Sequence, residues 1–169
     1  MPNTFELIAS STVGAGGAAT ISFTSIPSTF TDLCIKISAR NTTSVERELW
    51  INPNGSSTSG SGKALWGNGS TTGSYSPTRF EAFGYVAGTG LTASTFSSID
   101  AYIPNYAGST NKSMSGDGVT ENNATLGYNA LNAALWSNTA AITSLDLVLA
   151  GGVNFAQHST AYLYGVKNA

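Results

Sequence analysis

Ala141-Ile142-Thr143-Ser144-Leu145-Asp146-Leu147-Val148-Leu149 and Ser159-Thr160-Ala161-Tyr162-Leu163-Tyr164-Gly165-Val166 decide the fold. In the first run Leu145, Leu147 and Leu149 fall on one side and Ser144 and Asp146 on the other, the period of two that a half-buried strand requires. The second run places Thr160, Tyr162, Tyr164 and Val166 on one face and Ala161, Leu163 and Gly165 on the other. A turn-rich link over 150–158 joins them. A closing strand paired inside a sheet makes the chain end structural rather than a loose tail.

The same alternation recurs upstream. Asp32 to Arg40 sets Leu33, Ile35, Ile37 and Ala39 against Cys34, Lys36, Ser38 and Arg40. Phe5 to Val13 and Ala18 to Ile26 are expected to form a hairpin around Gly14-Ala15-Gly16-Gly17, whose glycines tolerate positive φ. Pro27 takes the chain out of the sheet, and Phe30 is expected to plug the end of the core. Glu46 to Ile51, Arg79 to Ala87 and Ser94 to Ile103 read as further strands. Lys112 to Ser115 reads as a short edge strand before a turn at Gly116-Asp117-Gly118. From Ala124 to Trp136 the apolar residues Leu126, Tyr128, Leu131, Leu135 and Trp136 fit neither period, and no helix is expected there.

Residues 52–77 are nearly all Asn, Pro, Gly, Ser and Thr, and are expected to be an exposed loop insertion in a single domain over 1–169. Trp66 and Tyr75 are its aromatic anchors and the expected contact points, together with Trp136. About eight strands and one or two weaker ones, without an amphipathic helix, indicate an all-β, antiparallel two-sheet sandwich. Long crossing connections favour the jelly-roll type over the immunoglobulin type. The chain shows no fixed repeat, collagen-like or heptad pattern, which argues against a solenoid, propeller or fibre shaft.

Charged residues make up only 9% of the chain, against about a quarter in ordinary soluble domains, while 23 Ser and 21 Thr supply hydroxyls in their place. Seven scattered basic residues and a net charge of −2 give no footprint for nucleic acid. A sparsely charged surface suits a subunit whose faces are covered in an assembly. The N-terminus has no signal-peptide pattern, and no apolar run approaches the roughly 20 residues that cross a bilayer, so synthesis in a cytoplasm and no membrane partner are expected.

Catalytic chemistry finds little material. A Ser-His-acid site has only His158 to draw on, and no Gly-X-Ser-X-Gly elbow accompanies it, so a loop or interface role is expected for that side chain. Glu46 and Glu48 point the same way from one strand, with Arg47 between them, where a glycosidase needs carboxyls facing each other across a cleft. Cys34, the sole cysteine, reads as a small half-buried filler. No spacing for zinc is present and Asp117 lies in no calcium-loop pattern. No catalytic residue, metal or cofactor is expected. Asn41-Thr42-Thr43, Asn54-Gly55-Ser56, Asn68-Gly69-Ser70, Asn111-Lys112-Ser113 and Asn123-Ala124-Thr125 match the glycosylation pattern, and without a leader they reflect composition alone. Trp50, Trp66, Trp136 and Tyr75 admit a sugar-stacking platform as the alternative to a core or interface role.

Phe5-Glu6-Leu7-Ile8-Ala9-Ser10-Ser11-Thr12-Val13, then Ile21-Ser22-Phe23-Thr24-Ser25-Ile26-Pro27 with Phe30-Thr31-Asp32-Leu33, and finally Asn154-Phe155, Ser159 and Leu163-Tyr164-Gly165-Val166-Lys167 resemble small virion structural proteins of tailed bacteriophages, especially those of marine bacteria. The resemblance covers both ends and not the middle, from about Trp50 to Trp136. Where that group commonly has a glycine just before the serine, this chain has His158. The resemblance implies a jelly-roll subunit of a virion, either a capsid decoration or cement protein on the major capsid protein, or a tail or tail-appendage component that binds a host receptor or carbohydrate. It also implies association with other virion subunits and a homotrimer.

Overall fold

The computed structural model describes residues 4–76, 82–121 and 127–167. Twelve strands and no helix occur among them: β1 (Phe5–Thr12), β2 (Thr20–Phe23), β3 (Asp32–Ala39), β4 (Arg47–Pro53), β5 (Gly60–Gly67), β6 (Thr72–Tyr75), β7 (Ala82–Val86), β8 (Ser97–Pro104), β9 (Lys112–Glu121), β10 (Gly127–Trp136), β11 (Leu145–Leu149) and β12 (Thr160–Val166). They form an eight-stranded sheet in the order β1-β12-β3-β8-β9-β10-β5-β6 and a four-stranded sheet in the order β2-β11-β4-β7. The pairings between these strands are antiparallel, and the protein is an all-β two-sheet sandwich.

Alternation builds the core. Leu33, Ile35 and Ile37 of β3, Ile99 and Ile103 of β8 and Leu163 of β12 are buried from one sheet; Ile21, Phe23, Leu49, Ile51, Leu145, Leu147 and Leu149 are buried from the other. Each such side chain contributes about 1.5–3 kcal/mol relative to exposure. The C-terminal strand lies inside the sheet, between β1 and β3, as the closing alternation requires. Phe30 is buried in the core cluster, the plug expected of it.

The path of the chain is regular. β1 lies in the large sheet, β2 in the small, β3 in the large and β4 in the small; after the β5–β6 hairpin, β7 is in the small sheet and β8 in the large; after β9–β10, β11 is in the small sheet and β12 in the large. The hairpins β5–β6 and β9–β10 therefore depart from the alternation. They come from different connections, yet β10 pairs with β5 over Asn129–Trp136 and Gly60–Gly67, and together they extend the large sheet beyond β8.

Several expectations need correction. β2 pairs with β11 in the opposite sheet, so the first two strands are not a hairpin. The stretch 52–77 is not a loop throughout: it contains β5 and β6. Gly116-Asp117-Gly118 is no turn but the middle of β9, which is ten residues long and interior to the sheet. Its glycine serves close approach, since a Cβ on Gly116 would lie 2.8 Å from the Phe83 ring and 2.3 Å from the Asp100 carbonyl oxygen. The ambiguous segment resolves as β10 from Gly127 onward; Ala124, Thr125 and Leu126 lie outside the described residues, as does the expected strand start at Arg79.

Candidate interaction surface

The extension β9-β10-β5-β6 has two faces of different character. Its inner face carries Ala64, Ala130, Ala134 and Trp136, all buried. Trp66 stacks on Tyr128 with ring centroids 5.7 Å apart and planes 7° from parallel. Across the strand pair Trp66 faces Gly73, where a Cβ would stand 3.0 Å from the indole, so the ring covers the backbone of the edge strand β6. Tyr128 meets Tyr85 of β7 edge-to-face at 4.5 Å.

Polar bonds clamp this face to the small sheet. The Tyr75 hydroxyl donates to Glu48 Oε1 at 2.7 Å, the Tyr85 hydroxyl lies 3.5 Å from the same oxygen, and the Trp50 indole N–H donates to Oε2 at 3.2 Å. The Thr120 hydroxyl donates to the Tyr85 carbonyl at 2.5 Å. Burial first, then hydrogen bonds to Tyr85 and Glu48, hold the Tyr75 hydroxyl far above the ordinary tyrosine range. Burial also raises Tyr128, with Tyr85 adding to it.

The outer face has no such cover. Leu131 is 61% exposed, Leu65 55% and Val119 43%, and Leu135 is exposed further along β10. Register puts Leu131 directly between Asp117 and Leu65, and Asn129 between Val119 and Gly67. These residues, with Ser74 and Thr72, line a shallow groove of about 800 Å³. A second hollow of about 370 Å³ lies at the rim, bounded by Tyr85, Tyr128, Glu46, Glu121, Asn68 and Ser70.

The residues singled out by sequence are distributed differently from the expectation. Trp66 and Tyr75 both lie in the extension: Trp66 stacks on Tyr128 and also lines the groove, while the Tyr75 hydroxyl is turned onto Glu48. Trp136 is 1% exposed and belongs to the core cluster, so it offers no contact surface. His158 is exposed in the turn before β12; its backbone N–H donates to the Val13 carbonyl at 2.9 Å, and its φ is 71°. Glu46 precedes β4 and is exposed, while Glu48 is engaged by Tyr75 and Trp50, so the two carboxyls do not share a strand face. Burial pushes the Cys34 thiol up, against a smaller opposing effect of Lys36. No group of three or more His, Cys, Asp or Glu that would hold a metal ion occurs among the described residues.

Sequence reasoning missed Leu65, Val119, Leu131 and Leu135 as surface residues and Glu48 as a clamp. A usable signal was the alternation Asn129-Ala130-Leu131-Asn132-Ala133-Ala134-Leu135, in which the large apolar residues share a face with Asn129. No protein-family model matches this chain, and no curated protein does.

Proposed function

We propose that this chain is a non-enzymatic jelly-roll subunit of a tailed-bacteriophage particle, a decoration subunit that cements the capsid lattice by being gripped through its surface. The observation that carries this reading is the outer face of the extension. Leu131 and Leu65 stand exposed side by side with Val119 on the diagonal, among Asp117, Asn129, Ser74 and Thr72, an apolar surface of the kind that marks interaction sites. The clamped inner face makes that patch rigid, and rigid presentation lowers the ordering cost of binding.

Strand order supports the jelly-roll part. With the two hairpins set aside, β1-β12-β3-β8 faces β2-β11-β4-β7, and every connection except that from β4 to β7, neighbours in the small sheet, passes from one sheet to the other, the wrapping of two Greek keys found in viral capsid and lectin domains. The resemblance of both chain ends to phage virion proteins supports the particle. Self-association as a trimer fits the same reading.

The test is saturable binding to capsids stripped of this subunit. The wild-type chain is expected to bind, and Leu131→Lys and Leu65→Lys are expected to abolish binding while leaving thermal stability unchanged. Wild-type failure to bind, or binding indifferent to both substitutions, defeats the proposal. Glycan binding lost on Tyr128→Ala would favour the tail-appendage reading, through the hollow beside Tyr85.

A further inference from the structure

The chain carries two Asn-Gly pairs, Asn54-Gly55 and Asn68-Gly69, and both glycines sit at positive φ, 69° and 86°. Asn-Gly is the dipeptide most prone to cyclise, because a glycine leaves its own nitrogen unhindered for attack on the preceding carboxamide. Whether it does so in a folded chain depends on where the carboxamide is held. The two sites hold it in opposite ways.

At Asn54 the side chain is turned away from its own glycine. Oδ1 accepts the backbone N–H of Thr143 at 2.8 Å and of Ser144 at 3.1 Å, and Nδ2 donates to the Ala141 carbonyl at 2.8 Å. The backbone N–H of Asn54 donates to the Ser144 carbonyl at 2.9 Å, so a whole strand-entry segment anchors it. Cγ faces that segment, and the leaving nitrogen is tied down.

At Asn68, in the β5–β6 turn, Oδ1 accepts the backbone N–H of Ser70 at 3.0 Å and of Thr71 at 2.8 Å. An Asx-type ring of this kind contains the Gly69 nitrogen, so Cγ stays on the same side of the turn as its nucleophile. Both bonds also draw electrons from the carbonyl. Nδ2 has no hydrogen-bond partner among the described residues, and Gly69 is exposed.

We propose that Asn68 is a self-modification site of this protein and that Asn54 is shielded from the same reaction. The Gly69 nitrogen, losing its proton, bonds to Cγ of Asn68; the Cγ–Nδ2 bond breaks, and ammonia departs with that proton. Water then opens the succinimide at either carbonyl, leaving aspartate or isoaspartate. No oxidant, reductant or cofactor takes part.

Either product puts a negative charge beside Glu46, which lines the same hollow as Asn68. Aspartate keeps the oxygen acceptor and so keeps the turn. Isoaspartate lengthens the backbone by one methylene and disrupts the 3.1 Å bond from Asn68 N–H to the Thr71 carbonyl that closes the hairpin.

The experiment is peptide mapping by mass spectrometry after incubation of the full chain at mildly alkaline pH, folded and in denaturant. In denaturant both pairs are expected to convert at comparable rates. In the folded chain Asn54 is expected to be protected manyfold while Asn68 converts at a rate near its denatured value, and Asn68→Gln is expected to remove most of the acidic species seen on isoelectric focusing. Equal folded-state rates at the two sites, or protection of Asn68 as strong as that of Asn54, overturn the proposal.

Discussion

Gly165 lies directly beneath the ring of Phe30: a Cβ at position 165 would fall 2.2 Å from Phe30 Cγ. One residue belongs to the closing strand and the other to the connection before β3, so the plug and the missing side chain are a matched pair. Lys167 stands over the same ring, 5.1 Å from its centroid.

Gly165→Ala is expected to lower stability by about 1–3 kcal/mol through overpacking, read as a fall in the urea midpoint. Adding Phe30→Leu should recover part of that loss, because the smaller side chain leaves room for the methyl group. Strictly additive effects in the double mutant would show that the two positions do not share one space.

His158 occupies a left-handed backbone conformation that disfavours side chains. His158→Gly is expected to stabilise by a few tenths to about 1 kcal/mol, the relief being offset partly by the freer unfolded chain. His158→Val should destabilise. A loss of stability on glycine substitution would mean that the imidazole contributes something beyond the turn.

Glu48 accepts from Tyr75 and Trp50, so Glu48→Ala leaves a half-buried hydroxyl without its acceptor, at a cost of about 1–3 kcal/mol. Tyr75→Phe should cost less, since donor and acceptor are no longer mismatched in the same way. The local readout is amide exchange in β6, expected to accelerate in both variants while β3 and β12 stay protected.

Alkaline pH is expected to unfold the protein in a defined direction. The Tyr102 hydroxyl donates to Asp32 Oδ2 at 2.5 Å, and that bond, with burial adding to it, pushes its pKa up to about 12. Tyr75 and Tyr128 are raised in the same sense. In the unfolded chain these groups release their protons near 10, so the stability they contribute is complete below about 10; that of Tyr102 is lost as pH rises through about 12, and those of Tyr75 and Tyr128 fall away only at still higher pH. Urea midpoints should hold from neutral pH to about 10 and then fall, in step with tyrosinate absorbance. A midpoint that stays level across that window would contradict the Tyr102–Asp32 hydrogen bond.

Strands β3 and β11 were legible because their burial follows their alternation: Leu33, Ile35 and Ile37, and Leu145, Leu147 and Leu149, point inward, whereas Phe5 and Leu7 of β1 are exposed. The middle was not, for two physical reasons. Gly60-Ser61-Gly62-Lys63-Ala64 has the composition of a loop, and only pairing with β10 makes it a strand. In β10 the alternation is inverted, with Ala130, Asn132 and Ala134 inside and Leu131 and Leu135 outside, so a pattern that assumes large apolar residues face inward finds neither period. Trp66 and Tyr75 were found as residues, but not their partners Tyr128 and Glu48. Aromatic content alone does not say whether a ring faces a partner or its own neighbouring strand.

The seam between β10 and β5 makes one grafted hairpin dependent on the other. The β5–β6 hairpin has no second route into the sheet, whereas β9 is also held by β8: excise residues 112–136 and β5 loses its neighbour, while removal of 60–75 merely bares the flank of β10. Lineages carrying this architecture should therefore never keep the 60–75 insert without the 112–136 one, while the reverse is permitted, and any engineer wishing to transplant the leucine-bearing surface must move them as a couple.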